Sequence, residues 1–199
     1  MASGTEFQDA MAASTLSYWR KTGKSLPIVL TSPTALTSNA AGALATTGAK
    51  QVILMGGQLA VANSVVTTLV SDGIEVLRVA GQNYTGTAAE LAKFEYGAGG
   101  TKGLGWTSHV VAVARGNGFT DGLVGAVVAG NTTAVGTTTT IPEPLVLTLN
   151  PTTVGTTLTA FLKAYGQHGT PKQISSLQIF GGPLAVSPSV VSQMETDIS

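Results

Sequence analysis

The chain has 199 residues, 43% of them hydrophobic, and its ten basic residues balance ten acidic ones. Charged residues make up 10%, against about a quarter in ordinary domains, so no net field gathers nucleic acid or an anionic membrane. The absence of cysteine excludes disulfides, thiolate metal sites and thiol nucleophiles, no apolar run approaches the about 18 residues of a membrane span, and the opening MASGTEFQDAM has neither the basic nor the apolar region of a signal peptide.

In chain order, the apolar patterning predicts a helix over 6–19, a strand at PIVLT (27–31) and a helix over 34–46 with Thr34 at its cap and Gly48 as its stop. A strand at QVILM (51–55), a helix over 62–71, a strand at IEVLRV (74–79) and a helix over 85–96 follow. Next come the strand HVVAVA (109–114), a helix over 119–129 and the strand PLVLT (144–148). A helix over 153–165, capped by Thr153 and stopped by Gly166, leads to the strand LQIF (177–180). The last helix, 188–197, has Ser187 as cap and Pro188 at its first position. Most of the strand runs are apolar throughout rather than alternating, as in parallel sheets buried on both faces. Strands alternating with helices define an α/β class, a parallel sheet flanked by helices. Residues 97–108, rich in Gly, and 130–143, rich in Thr, read as surface loops, and the counterpart of the second, 18–25, is shorter and basic.

Three blocks occur twice in the same order. GTEFQDAM (4–11), LPIVLT (26–31) and QVILMGGQLAVANSVVTTL (51–69) return as GNGFTDGL (116–123), EPLVLT (143–148) and SLQIFGGPLAVSPSVVSQM (176–194). A repeat of this length sets the fold. It also disfavours a single deep active site, because duplicated surfaces more often bind polymers or one another. Phe7, Asp9, Gly56 and Gly57 define the first copy; Phe119, Asp121, Gly181 and Gly182 define the second.

These blocks, with RVAGQNYTGTA (78–88) between them, resemble the cell-wall-binding repeat type 2 family. The resemblance covers essentially the whole chain and is most specific at GG-x-x-AV, 56–61 and 181–186. It implies tandem Toprim-like repeats and a non-enzymatic module of a Gram-positive surface protein, extracellular, holding non-covalently to an anionic cell-wall glycopolymer. Within 78–88, Arg78, Gly81, Thr87 and Ala88 match the family pattern, whereas Asn83 and Tyr84 stand where the family often has Asp and Arg. Read onto this chain, the family boundary makes 74–199 a full repeat and 1–73 the later part of a preceding one. A strand and helix would then be missing ahead of residue 1, and a further R-x-x-G strand would be due after residue 199. The edges left open predict a homo-oligomer or intimate packing of the two copies, with 74–79 and 109–114 sharing one sheet.

Each candidate residue has a functional and a structural reading. The Gly-Gly loops either present backbone N–H groups to an anion or permit a tight turn and close helix–sheet packing. Neither fits a nucleotide-binding motif. Asp9 and Asp121 either stabilise helix starts or bind ligand in both copies. Arg20, Lys21, Lys24, Arg78 and Arg115 are candidates for holding polymer phosphate or carboxylate, the alternative for the 20–24 cluster being solubility. Trp19 and Trp106 are candidates for sugar stacking or for the core. His109 and His168 lack ligand spacing and no G-x-S-x-G elbow is present, so no metal, cofactor or catalytic activity is expected. The rival to wall anchoring is a self-assembling structural protein, a surface layer, fibre or other oligomer, favoured by low charge and by 29 threonines.

Overall fold

Every pairing between named strands is parallel, and the central strands β5 and β6 are buried along their length. The computed structural model describes residues 1–18, 25–97, 103–133, 139–171 and 173–199. Among these, the order is β1 (Ala2–Ser3), α1 (Gln8–Ala12), a 3-10 turn (Ala13–Ser17), β2 (Leu30–Thr31), α2 (Ser38–Thr47), β3 (Gln51–Met55), α3 (Asn63–Ser71), β4 (Glu75–Val79) and α4 (Tyr84–Tyr96). Then follow β5 (Val110–Arg115), α5 (Thr120–Asn131), β6 (Leu145–Thr148), α6 (Thr156–Tyr165), β7 (Ser176–Ile179) and α7 (Pro188–Ile198).

The second unit has the strand order β6-β5-β7. In the first, β1 pairs with β2 and β3 pairs with β4. The two pairs are joined through Met1, whose amine donates to Ile53 O (2.7 Å) and whose carbonyl accepts from Met55 N (2.9 Å). The strand order around β1 therefore mirrors that around β5, with β4 added outside β3. Strands 74–79 and 109–114 do not share a sheet. β4 extends the first sheet, whereas β5 is central in the second.

The helix α4 crosses between the units. It follows β4 but packs on β6, α6 and α1. One hydrophobic cluster therefore contains Met11, Leu16 and Met55 of the first unit, Leu91 and Ala92 of α4, and Val111, Leu147, Phe161 and Met194 of the second. A smaller cluster, Leu44, Val52, Leu54, Val65 and Leu69, fills the outer side of the first sheet under α2 and α3. Intimate packing of the copies is what the chain adopts.

Capping follows the sequence at Ser187, whose side chain accepts from Val190 N with Pro188 at the first position, and at Gly48, left-handed at φ 64°. Elsewhere it differs. Thr37, not Thr34, caps α2 by accepting from Ala40 N. Thr153 lies in a turn, its carbonyl accepting from Leu149 N and Asn150 N, and α6 starts after Gly155 without a side-chain cap. Gly166 is extended, not left-handed. The expected helix over 6–19 is an α-turn followed by a 3-10 turn, with Ser14 Oγ donating back to Ala10 O.

Candidate functional site

The two Gly-Gly turns stand at the carboxyl ends of β3 and β7, the end at which parallel α/β sheets carry their ligands. Both turns have the same build. Gly56 has φ 90° and Gly181 φ 108°, a region closed to residues with a side chain. In both, the N–H five residues on returns to the second glycine: Val61 N to Gly57 O and Val186 N to Gly182 O, each 3.0 Å. The fourth residues of the turns, Leu59 and Leu184, are almost wholly exposed at 101% and 92%.

The repeated aspartates explain the first glycine of each pair. A β-carbon on Gly56 would collide with the Asp9 carboxylate and with Ala60; one on Gly181 would lie 2.7 Å from Asp121 Oδ2 and 2.6 Å from Ala185. Neither Asp caps its helix: α1 and α5 start at Phe7 and Phe119 without a side-chain cap. Instead each carboxylate is laid across a turn contributed from far away in the chain. The second glycines, Gly57 and Gly182, have open space around them, so only one glycine per turn is required sterically. Phe7 and Phe119 meet edge to face, with centroids 5.8 Å apart, so equivalent positions of the two copies touch.

The copies differ in what closes the turn. Arg78 Nη1 donates to Gly56 O (2.7 Å), and Gly56 N donates to Val79 O (2.8 Å). Asp9 is buried, and the Thr87 hydroxyl, which also accepts from Gly81 N (3.2 Å), hydrogen bonds to it. Burial raises the Asp9 carboxyl above its usual range and the Thr87 bond partly offsets this. Thus Arg78, Gly81 and Thr87 of the 78–88 segment all bear on the first turn. Among the described residues no counterpart of the Arg78 and Thr87 hydrogen bonds is found at Gly181 and Asp121.

The other sequence candidates are placed as follows. Arg115, at the carboxyl end of β5, lies so close to the Gly118 backbone that a β-carbon there would meet its guanidinium. Among the described residues neither Arg78 nor Arg115 forms an ion pair. Arg20, Lys21, Lys24 and Trp19 lie outside the described residues. Trp106 is buried. His109 is exposed with Nδ1 2.8 Å from Gln173 O, His168 is exposed, and no group of three potential metal-ligating side chains occurs among the described residues.

Three features were not foreseen. Asn83 caps α4 by accepting from Gly86 N (2.9 Å) and from Thr85 Oγ1 (2.7 Å). Tyr84 lies against Gly116 and donates to Leu149 O, which ties the 78–88 segment to the ends of β5 and β6. The two departures from the family pattern thus serve as a cap and a brace. Third, Glu95 is fully buried with Oε1 accepting from Thr15 (3.1 Å). Burial raises its carboxyl well above the normal range, and Glu143 is raised for the same reason.

The description "Cell wall binding domain 2 (CWB2)" matches residues 1–66 and 78–191, nearly the whole chain. The chain belongs to the CWB2 family. Among curated proteins it is similar to the N-acetylmuramoyl-L-alanine amidase LytC of Bacillus subtilis (strain 168), 28% identical over 194 residues, 96% of this chain and 32% of the amidase. Its fold is shared with Cwp8 from Clostridium difficile (TM-score 0.67, 20% identity, 98% of this chain and 29% of that one). It is shared also with Cwp6 from Clostridium difficile (TM-score 0.69, 18% identity, 98% and 26%). This CWB2 chain therefore spans about a third or less of the length of these relatives.

Proposed function

We propose that the chain is a non-catalytic module, read as tandem Toprim-like repeats at 1–73 and 74–199, that holds a surface protein non-covalently on an anionic cell-wall glycopolymer outside the cell. Membership of the CWB2 family over nearly the whole chain is the observation that carries this reading. The site supports it in kind. Two guanidiniums that form no ion pair among the described residues, Arg78 and Arg115, stand towards the carboxyl ends of the parallel strands β4 and β5, and Arg78 reaches the first Gly-Gly turn. Arginine suits phosphate or carboxylate groups on a polymer.

The test is retention on purified wall material. Retention should fall as salt rises. It should drop several-fold in Arg115→Ala, and again when Arg20, Lys21 and Lys24 become Ala, with the circular dichroism unchanged. Unchanged retention in the combined variant would remove these cations from the site.

A second reading, self-assembly into a surface layer or other homo-oligomer, is favoured by α5. Leu123, Val124, Val127 and Val128 lie exposed along it, whereas Met11, Ala12, Thr15 and Leu16 at the matching places of the first unit are buried. Light scattering separates the readings: a monomer at high concentration, unchanged by Val124→Glu, would rule out association through α5.

A further inference from the structure

The units also differ at the carboxyl ends of their central strands, where every loop that follows a strand lies within the described residues. The pairings Ser3↔Thr31 and Arg115↔Thr148 make Arg115 the counterpart of Ser3, so Gly118 and Phe119 answer to Glu6 and Phe7. In the first unit the Ser3 hydroxyl turns to that of Thr5 (2.9 Å), and Glu6 is exposed. The second unit has exchanged both residues: a cation replaces the hydroxyl, and the carboxylate is gone.

The two exchanges fit one another. Arg115 folds back over Gly118, where a β-carbon would meet its Nε, Cζ and Nη2. Gly118 is not among the glycines of positive φ, so its backbone would accept a side chain. What glycine supplies here is room for the guanidinium. The Nε atom of Arg115 is buried and has no hydrogen-bond partner among the described residues, and the guanidinium forms no ion pair there. A buried N–H left unused is costly. Arginine's planar fork can present two parallel N–H groups to one oxyanion. The nearby Asp121 carboxylate is turned to Gly181. Next in the chain to Gly118 stands Phe119, 52% exposed and edge to face with Phe7 of the other unit. An exposed aromatic face beside a polar fork suits a ligand that is apolar on one side and charged on the other.

We infer that Arg115, Gly118 and Phe119 form a subsite for a pyranose that carries an oxyanion, phosphate or carboxylate. The anion lies on the guanidinium fork, and the C–H face of the sugar ring lies on Phe119 and Phe7. The inference rests on the wall-anchoring reading for the source of such a sugar, and deepens it by naming the part of the polymer that is held. The first unit presents Glu6 at the same place and repels an anion.

The test titrates the full chain with glucose-1-phosphate, glucuronate, inorganic phosphate and glucose, following the Arg115 Nε–H resonance and the ring protons of Phe7 and Phe119 by NMR. Glucose-1-phosphate or glucuronate should move both sets of signals, and the tighter of the two names the anion as phosphate or carboxylate. Inorganic phosphate should move the Nε–H signal alone and bind more weakly. Gly118→Ala keeps the arginine but pushes its guanidinium off the turn. It should weaken binding of the better sugar about tenfold with the melting temperature unchanged, and Arg115→Lys, which loses the fork, should do the same. Full affinity in Gly118→Ala would overturn the inference, and so would equal affinity for inorganic phosphate and glucose-1-phosphate. Sugar binding by a chain that wall material does not retain would keep the subsite and remove the wall-anchoring reading. Retention on wall material by a chain that binds none of these probes would do the reverse.

Discussion

The two Gly-Gly turns share a backbone, an aspartate and an exposed leucine, yet one is closed by Arg78, Val79 and Thr87 and the other stands open. The same residues in two surroundings separate what the turn needs from what it presents. Positive φ at the first glycine and the overlying carboxylate occur in both, so they are the minimum that shapes the turn. Among the described residues the guanidinium and hydroxyl contacts are found at the first turn alone, so they fix the turn once made. The second copy places Asp121 Oδ2 beside Gly181 with no counterpart of Thr87 among the described residues.

The sharpest way to break the comparison is to add a β-carbon. Gly56→Ala should cost about 3 kcal/mol in urea unfolding, because the backbone is left-handed and Asp9 is held in place. Gly181→Ala should cost about 1 kcal/mol less, since Asp121 has room to move. Equal costs would mean that Arg78 and Thr87 do not stiffen the first turn.

Next in size is a titration at the strand starts. The Met1 amine has its pKa lowered in the folded chain, from 8.0 to about 6. Below 6 the amine is charged in both folded and unfolded states and the full burial cost is present; above 8 it is neutral in both and the cost is gone. A polypeptide of residues 1–199 with a free Met1 amine should therefore gain roughly 2–3 kcal/mol between pH 6 and 8. A chain whose amine is blocked by formylation should lack that gain. The second unit has a peptide group at this place and contributes no such step.

A smaller effect tests the latch itself. Thr87→Val leaves Asp9 without its hydroxyl partner and Gly81 N without an acceptor, and should cost about 2 kcal/mol. Smallest is Glu95→Gln. The raised carboxyl of Glu95 stabilises the fold below its unfolded pKa, and that contribution is lost as pH rises through the folded value. The variant keeps the Thr15 hydrogen bond and should melt slightly higher than the parent at pH 7 but not at pH 4. A variant less stable at both would show that the carboxylate has a favourable partner.

Much of this was legible in the residues. The β5 and β6 runs were visible because strands buried on both faces are apolar without alternation, and the β3 and β7 runs because they stay largely apolar although partly exposed. β1 was not, since Ala2 and Ser3 offer too short a run to register as a strand. The break of the first helix left no mark, because Ala13 to Leu16 keep helical apolar spacing while Ser14 bonds back to the turn before it. Thr34 and Thr37 are equivalent as letters, and only the Ala40 bond decides between them as a cap. The site was half legible. Repetition singled out Asp9, Gly56, Asp121 and Gly181, but their contacts join distant segments and no spacing encodes them. Thr87 appeared as part of a family pattern; its bond to Asp9 needed the fold.

The β4–α4 segment gives its strand to one sheet and its helix to the layer over the other. If the wall-anchoring proposal holds, tension entering one unit and leaving the other runs along the chain through this shared piece. Parallel strands pulled along their length are loaded in shear, with all their hydrogen bonds strained together. The link from Val79 to Tyr84, braced by Tyr84 on Leu149 and capped by Asn83, would be where the two units part under force. Resistance to detachment is then set by how slowly this clasp opens, a rate and not an equilibrium.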